Sequence, residues 1–252
     1  MSRLWAVVPA AGVGARMAAD RPKQFLTLRG RPLLFWSVRA LLARDDLSGC
    51  VVALPAFDTE PSLGLRDSRL EFCVGGATRG ASVLAGLDTL AAAPEDWVLV
   101  HDGARPCLDA ESLDALIRQV RQSGSGGLLA EPVTDTLKQA DASQRVIATV
   151  SRDGLWRAQT PQMFRYGELR EALRAAIADG ADITDEASAM EREGHAVQLV
   201  AGSAVNLKVT HGPDLALAGY YLDAQELDAQ ELDARELETQ ENPVREPSGE
   251  NP

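Results

Sequence analysis

Lysine, histidine, cysteine and aromatic side chains are all scarce in this sequence of 252 residues, and basic charge is in deficit. Aromatics make up 5%, which argues against a stacking platform for single-stranded nucleic acid. Of the formal net charge of −12, residues 222–252 account for −8, because they hold ten acids against Arg235 and Arg245. Residues 1–221 therefore carry only −4, and no broad basic field exists to draw nucleic acid or an anionic membrane. No apolar run approaches the ~20 residues that span a bilayer. The three cysteines, Cys50, Cys73 and Cys107, are odd in number and form no C-x-x-C, so neither a zinc site nor a disulfide framework is indicated. A reducing compartment is the default for such a chain, and a cytoplasmic protein is expected. The opening segment is apolar only briefly before Pro9 and a glycine-rich loop, and reads as a buried first strand, not a signal peptide.

What is present is a globular composition, 45% hydrophobic and 25% charged, which excludes a wholly disordered chain, a coiled coil and a collagen-like fibre. Short apolar runs at Leu4–Val8, Cys50–Leu54, Leu70–Val74 and Trp97–Val100 read as buried strands. Leu33–Leu42 after Pro32, Ser82–Ala93 and Asp109–Gln122 read as helices, the last with Leu113, Leu116, Ile117 and Val120 on one face. Strands alternating with helices imply an α/β fold, a mostly parallel sheet with helices on both faces. Residues 127–150 break that rhythm. Leu128–Val133 and Val146–Val150 are β-like around a polar stretch, Lys138–Gln144, and read as a protruding β-hairpin arm of the kind that joins subunits. Helices are expected at 166–179 and 185–193, late strands at Val197–Val200 and Asn206–Val209, and a final helix at Pro213–Leu222. From Leu222 on, a five-residue repeat (Leu-Asp-Ala-Gln-Glu and variants) advances its leucines ~140° per repeat on a helix, so they form no stripe. Residues 1–221 are expected as the folded domain, with an arm at about 131–152, and 222–252 as an acidic tail fraying into disorder.

Three polar loops, 9–17, 75–82 and 102–106, each follow a strand and can meet at the carboxyl edge of the sheet, where α/β proteins bind ligands. The first holds Ala10, Ala11, Gly12, Gly14 and Arg16, small residues that let a backbone approach an oxyanion plus a forked cation, with Lys23 adding a point charge. It is neither a Walker A motif nor G-x-G-x-x-G, and together these residues indicate a triphosphate site. The second holds Gly75, Gly76 and Ser82, with room for a flat base and a hydroxyl that either bonds a base edge or caps a helix. The third holds Asp102, able to hold Mg²⁺ or substrate hydroxyls, and Arg105, able to pair with phosphate or with Asp102 itself. Only Lys23, Lys138 and Lys208 are lysines against 22 arginines, so a retained lysine marks a candidate need for a compact ammonium.

The blocks P-A-A-G-x-G-x-R-M, P-K-Q, G-G-x-x-R-x-x-S, V-H-D-x-A-R-P, D-T-x-K, T-P-Q, I-T-D-E-A-S and N-x-K-V-T follow one another from about residue 3 to residue 221. In that order they resemble the 2-C-methyl-D-erythritol 4-phosphate cytidylyltransferase family. The resemblance implies a Rossmann-like nucleotidyltransferase fold with a dimerising β-arm, and transfer of CMP from CTP to a polyol phosphate in non-mevalonate isoprenoid synthesis. It implies that Ala10, Ala11, Gly12, Gly14, Gly76 and Ser82 contact the nucleotide and that Arg16 and Lys23 stabilise the triphosphate. It further implies that Asp102, Arg105, Thr136, Arg152, Thr160, Thr184 and Lys208 surround the second substrate. Arg152 and Lys208 would position its phosphate, with Thr136 supplied by the arm of a second copy. Mg²⁺ is implied as the cofactor, held mainly through the CTP phosphates, with Asp102 the one candidate protein ligand. The partners implied are CTP, the polyol phosphate and a second copy of the chain, with no nucleic acid and no membrane. Fusion to the cyclising enzyme of the same pathway is not expected, because residues 222–252 are too few for a further domain. Gly103 stands where the family commonly has Ala, a change expected to loosen the loop, and Ala77 where it is often acidic. The alternatives are a ribitol-5-phosphate cytidylyltransferase, a sugar-1-phosphate nucleotidyltransferase and a CTP-binding module without catalysis.

Overall fold

The structure is a computed structural model that describes residues 2–12, 22–56 and 63–241, with side chains through Leu227. Gly14 and Arg16 of the first loop lie outside the described residues, as do residues 242–252. In chain order the elements are β1 (Leu4–Pro9), a 3-10 turn (Lys23–Phe25), β2 (Thr27–Leu28), β3 (Arg31–Pro32), α1 (Leu33–Leu42), β4 (Leu47–Leu54), β5 (Leu70–Val74), α2 (Arg79–Thr89) and β6 (Trp97–Val100). There follow α3 (Ala110–Ser123), β7 (Gly126–Pro132), β8 (Leu137–Ala140), β9 (Val146–Val150), β10 (Trp156–Arg165), α4 (Tyr166–Ala178), α5 (Glu186–Arg192), β11 (Val197–Ala201) and α6 (Gly212–Glu241).

Alternation along β1 explains the layering. Leu4, Ala6 and Val8 pack on one face with Leu34, Val38 and Leu41 of α1 and Leu113 and Leu116 of α3. Trp5 and Val7 point the other way, onto Val83 and Leu87 of α2 and Leu169 and Leu173 of α4. A strand buried on both faces reads as an unbroken apolar run for this reason. Each fully buried leucine contributes roughly 2 kcal/mol. Local signals set the helix ends: Asp109 caps α3 by accepting from the Ser112 N–H at 2.7 Å, and Gly124 ends it at φ 75°, a left-handed turn that suits glycine.

The seven-stranded sheet runs β11-β7-β10-β6-β1-β4-β5. β10 is antiparallel to both neighbours and the other pairs are parallel. From β1 the chain steps outward to β4 and β5, then returns to β6 on the other side of β1. The carboxyl ends of β1 and β6 thus flank the point where strand order reverses, the place where open α/β sheets hold ligands.

Five expectations change. The arm is β8 paired with β9 as a separate two-stranded sheet, whereas Leu128–Pro132 belongs to the main sheet as part of β7. β10, unforeseen from the sequence, lies between β7 and β6; its Pro161 and polar Gln159, Thr160 and Gln162 mask the strand signal, and its pairing with β7 shifts register between Ala158 and Gln162. Residues 206–209 form no strand; Val209 N–H instead donates to Ala104 O at 2.9 Å, outside any strand ladder. α2 begins at Arg79, capped by Thr78, whose Oγ1 accepts from Ala81 N–H at 3.1 Å, so Ser82 is not its cap. The expected boundary at 221 falls inside α6, which carries the helix on through the repeats to Glu241.

Candidate active site

An open cleft of about 260 Å³ lies over the carboxyl ends of β1 and β6. The first loop reaches it through Ala10, Ala11 and Gly12, and Lys23 and Gln24 close the same side. Gln24 is buried and holds that loop from behind: its Nε2 donates to Ala10 O at 2.6 Å and to Gly12 O at 2.9 Å. With those carbonyls engaged and the Ala10 N–H donating to Ala53 O at 2.8 Å, the loop lines the cleft with small side chains, and a Cβ on Gly12 would meet nothing within 4 Å.

The second loop packs on the first. A Cβ on Gly75 would lie 2.5 Å from the Cβ of Ala11, so only glycine permits the two loops to touch there. Ser82, in the first turn of α2, is buried and donates from Oγ to Thr78 O at 2.9 Å or Gly76 O at 3.2 Å, which fixes the loop against its helix. The glycines therefore serve loop packing as well as any base that lies over Gly76.

Asp102, directly after β6, is the charged centre. Its Oδ1 accepts from Arg79 Nε at 3.0 Å and its Oδ2 from Lys208 Nζ at 2.6 Å. Arg79 in turn donates Nη1 and Nη2 to Glu186 at 2.6 and 3.0 Å. Burial alone would raise the Asp102 carboxyl, but Arg79 and then Lys208 outweigh it and hold the group well below the usual carboxylate range. Burial pushes the Glu186 carboxyl up, against the opposing pull of Arg79.

Beneath Asp102 lies a chain of buried hydrogen bonds. Thr160 Oγ1 accepts from the Asp102 N–H at 3.0 Å and lies 3.0 Å from His101 Nδ1, while His101 Nε2 lies 3.1 Å from Arg105 O. A carbonyl can only accept, so Nε2 carries the proton and Nδ1 accepts from the Thr160 hydroxyl. Burial lowers the imidazole to about 4, so this ring is neutral near pH 7. Thr160 is thus 4% exposed and sits under the site, not in its lining. Arg105 is also buried, with Nη1 donating to Asn206 O at 2.7 Å and Nη2 to Ala158 O at 3.3 Å; it forms no ion pair with Asp102 among the described residues.

The cleft therefore brings together Ala10, Ala11, Gly12, Lys23, Gly76, Ser82, Asp102 and Lys208. Besides the buried Arg105 and Thr160, three further expected residues stand outside its lining. Thr136 and Arg152 are exposed at the base of the arm, where Arg152 Nη1 donates to Thr134 O, and Thr184 is exposed just before α5. Arg79, Glu186 and Gln24 had no role assigned from the sequence, although each stands inside a quoted block: the Arg of G-G-x-x-R, the Glu of I-T-D-E and the Gln of P-K-Q. Gly103, expected to loosen its loop, leaves no hole: a Cβ there would lie 2.8 Å from Leu34 Cδ1, which already fills that space. Among the described residues no group of three or more His, Cys, Asp or Glu could hold a metal, and both oxygens of Asp102 are engaged by cations.

A sequence pattern described as 2-C-methyl-D-erythritol 4-phosphate cytidylyltransferase matches residues 4–224. The chain belongs to this family. A relative of that name from Dechloromonas aromatica is 52% identical over 236 residues, covering 90% of this chain and all of the relative. Another, from Ectopseudomonas mendocina, is 53% identical over 220 residues, covering 85% and 94%. The crystal structure of the Francisella tularensis 2-C-methyl-D-erythritol 4-phosphate cytidylyltransferase superposes with a TM-score of 0.77 at 34% identity, covering 87% of this chain and all of the other. The region shared with the family contains the whole cleft and ends inside α6. The fold is accordingly the α/β nucleotidyltransferase fold of these cytidylyltransferases.

Proposed function

We infer that this protein transfers CMP from CTP to 2-C-methyl-D-erythritol 4-phosphate, giving 4-diphosphocytidyl-2-C-methyl-D-erythritol and pyrophosphate. Family membership over the whole cleft supports this. The single observation that carries it is the cleft itself, where glycine-rich loops after β1 and β5 meet Lys23, Lys208 and Asp102 at the strand-order reversal. An oxygen of the substrate phosphate attacks the α-phosphorus in line, forming a P–O bond as the bond to pyrophosphate breaks. The attacking phosphate is anionic at neutral pH, so no general base is needed. The neutral, fully bonded His101 fits that requirement. The protein's task is to align two polyanions and offset their repulsion.

Lys23 and Arg16 act on the triphosphate, Lys208 and Arg152 on the acceptor phosphate, and Asp102 with Thr184 on the polyol hydroxyls. Arg105 and Thr160 support Asp102 and its loop from below. The donor set does not cage a metal ion, so Mg²⁺ enters with the CTP phosphates as part of that substrate. The exposed arm side chains Val146 and Ile147, at 63% and 60%, together with Trp156 at the start of β10, support a homodimer in which the arm of one copy delivers Thr136 to the other. The free thiols of Cys50, Cys73 and Cys107 suit the cytoplasm, and no helix among the described residues is long and apolar enough to cross a membrane.

Pyrophosphate release from CTP and Mg²⁺ tests the reading, with methylerythritol 4-phosphate and ribitol 5-phosphate offered in parallel. Release with the first alone is expected. Preference for the second moves the protein to polyol-phosphate activation by the same chemistry, and CTP binding without release with either makes it a binding module.

A further inference from the structure

Arg79 and Glu186 take no part in the chemistry set out above, yet one guanidinium there holds two carboxylates. Arg79 opens α2, at the end of the loop that carries Gly76. It gives its two-pronged edge to Glu186, at 2.6 and 3.0 Å, and only Nε to Asp102, at 3.0 Å. Glu186 opens α5 and is fully buried. Its backbone is fixed to the sheet: Gln162 of β10 donates to Asp185 Oδ2 at 2.8 Å and accepts from the Ala187 N–H at 2.8 Å. Asp185 also caps α5, accepting from the Ser188 N–H at 3.0 Å.

This division of one cation has a consequence for charge. Arg79 lines a cleft meant for polyanions. With its fork free it would grip a phosphate, or turn both prongs onto Asp102 and compete with Lys208, which sits 2.6 Å from Oδ2. Glu186 takes the fork and prevents both. Asp102 is then left with one oxygen held by a single N–H and the other by the Lys208 ammonium, so a hydroxyl can be met without the carboxylate losing its charge.

We propose that Arg79 and Glu186 are positioning residues that set the orientation of the Asp102 carboxylate for the polyol hydroxyls, tying the nucleotide loop at α2 to the segment after Thr184 at α5. This rests on the functional reading in placing the polyol phosphate against Asp102. A lysine at 79 keeps the charge but lacks the planar fork that grips Glu186 with two N–H groups while a third meets Asp102. Glutamine at 186 keeps the shape but releases the fork, and aspartate at 186 keeps the charge.

Steady-state kinetics on the full chain, with thermal melts, decide the matter. Arg79→Lys and Glu186→Gln should melt cooperatively and raise KM for methylerythritol 4-phosphate about tenfold or more, with KM for CTP changed less than threefold. Glu186→Asp should recover part of that loss. An unchanged polyol-phosphate KM in the folded variants overturns the proposal. So does an equal loss in both substrates' KM that tracks the melting temperature, or failure of all three variants to fold, since either marks a purely structural clamp. A wild type that releases no pyrophosphate overturns the functional reading and this assignment with it, and is told apart by the wild-type control alone.

Discussion

At the scale of single residues, the proposed chemistry divides the site into groups for phosphate and groups that hold them in place. Lys23, which lines the cleft with Gly12 and Gln24, is proposed for the first kind, as a compact ammonium for the triphosphate. If it acts as charge moves onto pyrophosphate, Lys23→Ala should lower kcat by about 10² or more while weakening CTP binding much less. Single-turnover rates beside CTP titrations would check this, and unchanged turnover would remove Lys23 from the transition state. His101 belongs to the second kind. Its folded pKa is about 4 against an ordinary 6.5, because burial disfavours the imidazolium. The unfolded chain therefore binds the extra proton first as pH falls. The stability linked to His101 is complete above about 6.5 and is lost on acidification through about 4, a loss approaching roughly 3 kcal/mol. His101→Gln, which cannot titrate, should flatten the fall in melting temperature between those two pH values; an unaltered slope would assign it to other groups.

At the scale of elements, the arm makes the clearest demand. β8 and β9 pair only with each other, through Leu137 to Val150, and leave Val146 and Ile147 in solvent. An isolated two-stranded hairpin is marginal in water, so a partner surface should cover it. Ile147→Asp should shift the protein from dimer to monomer in analytical ultracentrifugation and lower activity, because Thr136 and Arg152 stand at the base of the same arm. A monomeric variant with full activity would show that one copy is catalytically complete. Elements were legible in the sequence where one signal dominated. Leu33–Leu42, Leu70–Val74, Trp97–Val100 and Val146–Val150 are read to the residue, each a short apolar run between clear breakers. β10 was hidden because its middle, Gln159 to Gln162, turns polar atoms inward to Asn206, Ser203 and Asp185. Asn206–Val209 gave the opposite error: alternating apolar residues mimic a strand, but the segment is held by scattered hydrogen bonds to Ser203, Ala104, Arg105 and Thr160 and by no strand ladder. The three convergent loops were legible for the same reason as the strands they follow. The Arg79–Glu186 pair was not, because its partners lie 107 residues apart and nothing local marks a buried ion pair.

At the scale of the whole molecule, α6 joins the acidic repeats to the back of the site. Ala218 and Leu222 pack in a third apolar cluster with Leu28, Leu33, Trp36, Cys107 and Val209. Two of these lie next to the site: Cys107 follows Arg105 by two residues, and Val209 follows Lys208 directly. Gln225 Nε2 donates to Cys107 O at 3.1 Å, and Arg29 pairs with Glu226 at 2.9 Å and with Asp223. The described packing of α6 against the body thus passes residue 221. A chain ending at Leu227 keeps all of these contacts and should match the full chain in melting temperature and turnover. A chain ending at Tyr221 loses the burial of Leu222, about 2 kcal/mol, and the Gln225 hydrogen bond, about 1 kcal/mol. The exposed ion pairs add at most about 1 kcal/mol. At roughly 2–4 °C per kcal/mol for a chain of this size, melting should fall by about 5–15 °C. The loops of Asp102 and Lys208 lose their backing together, so KM for the polyol phosphate should rise ahead of KM for CTP. Melts and pyrophosphate kinetics on the two truncations read both effects. Equal behaviour of the two would mean that α6 beyond Tyr221 does not brace the site, and that the cluster around Cys107 closes through Ala218 alone.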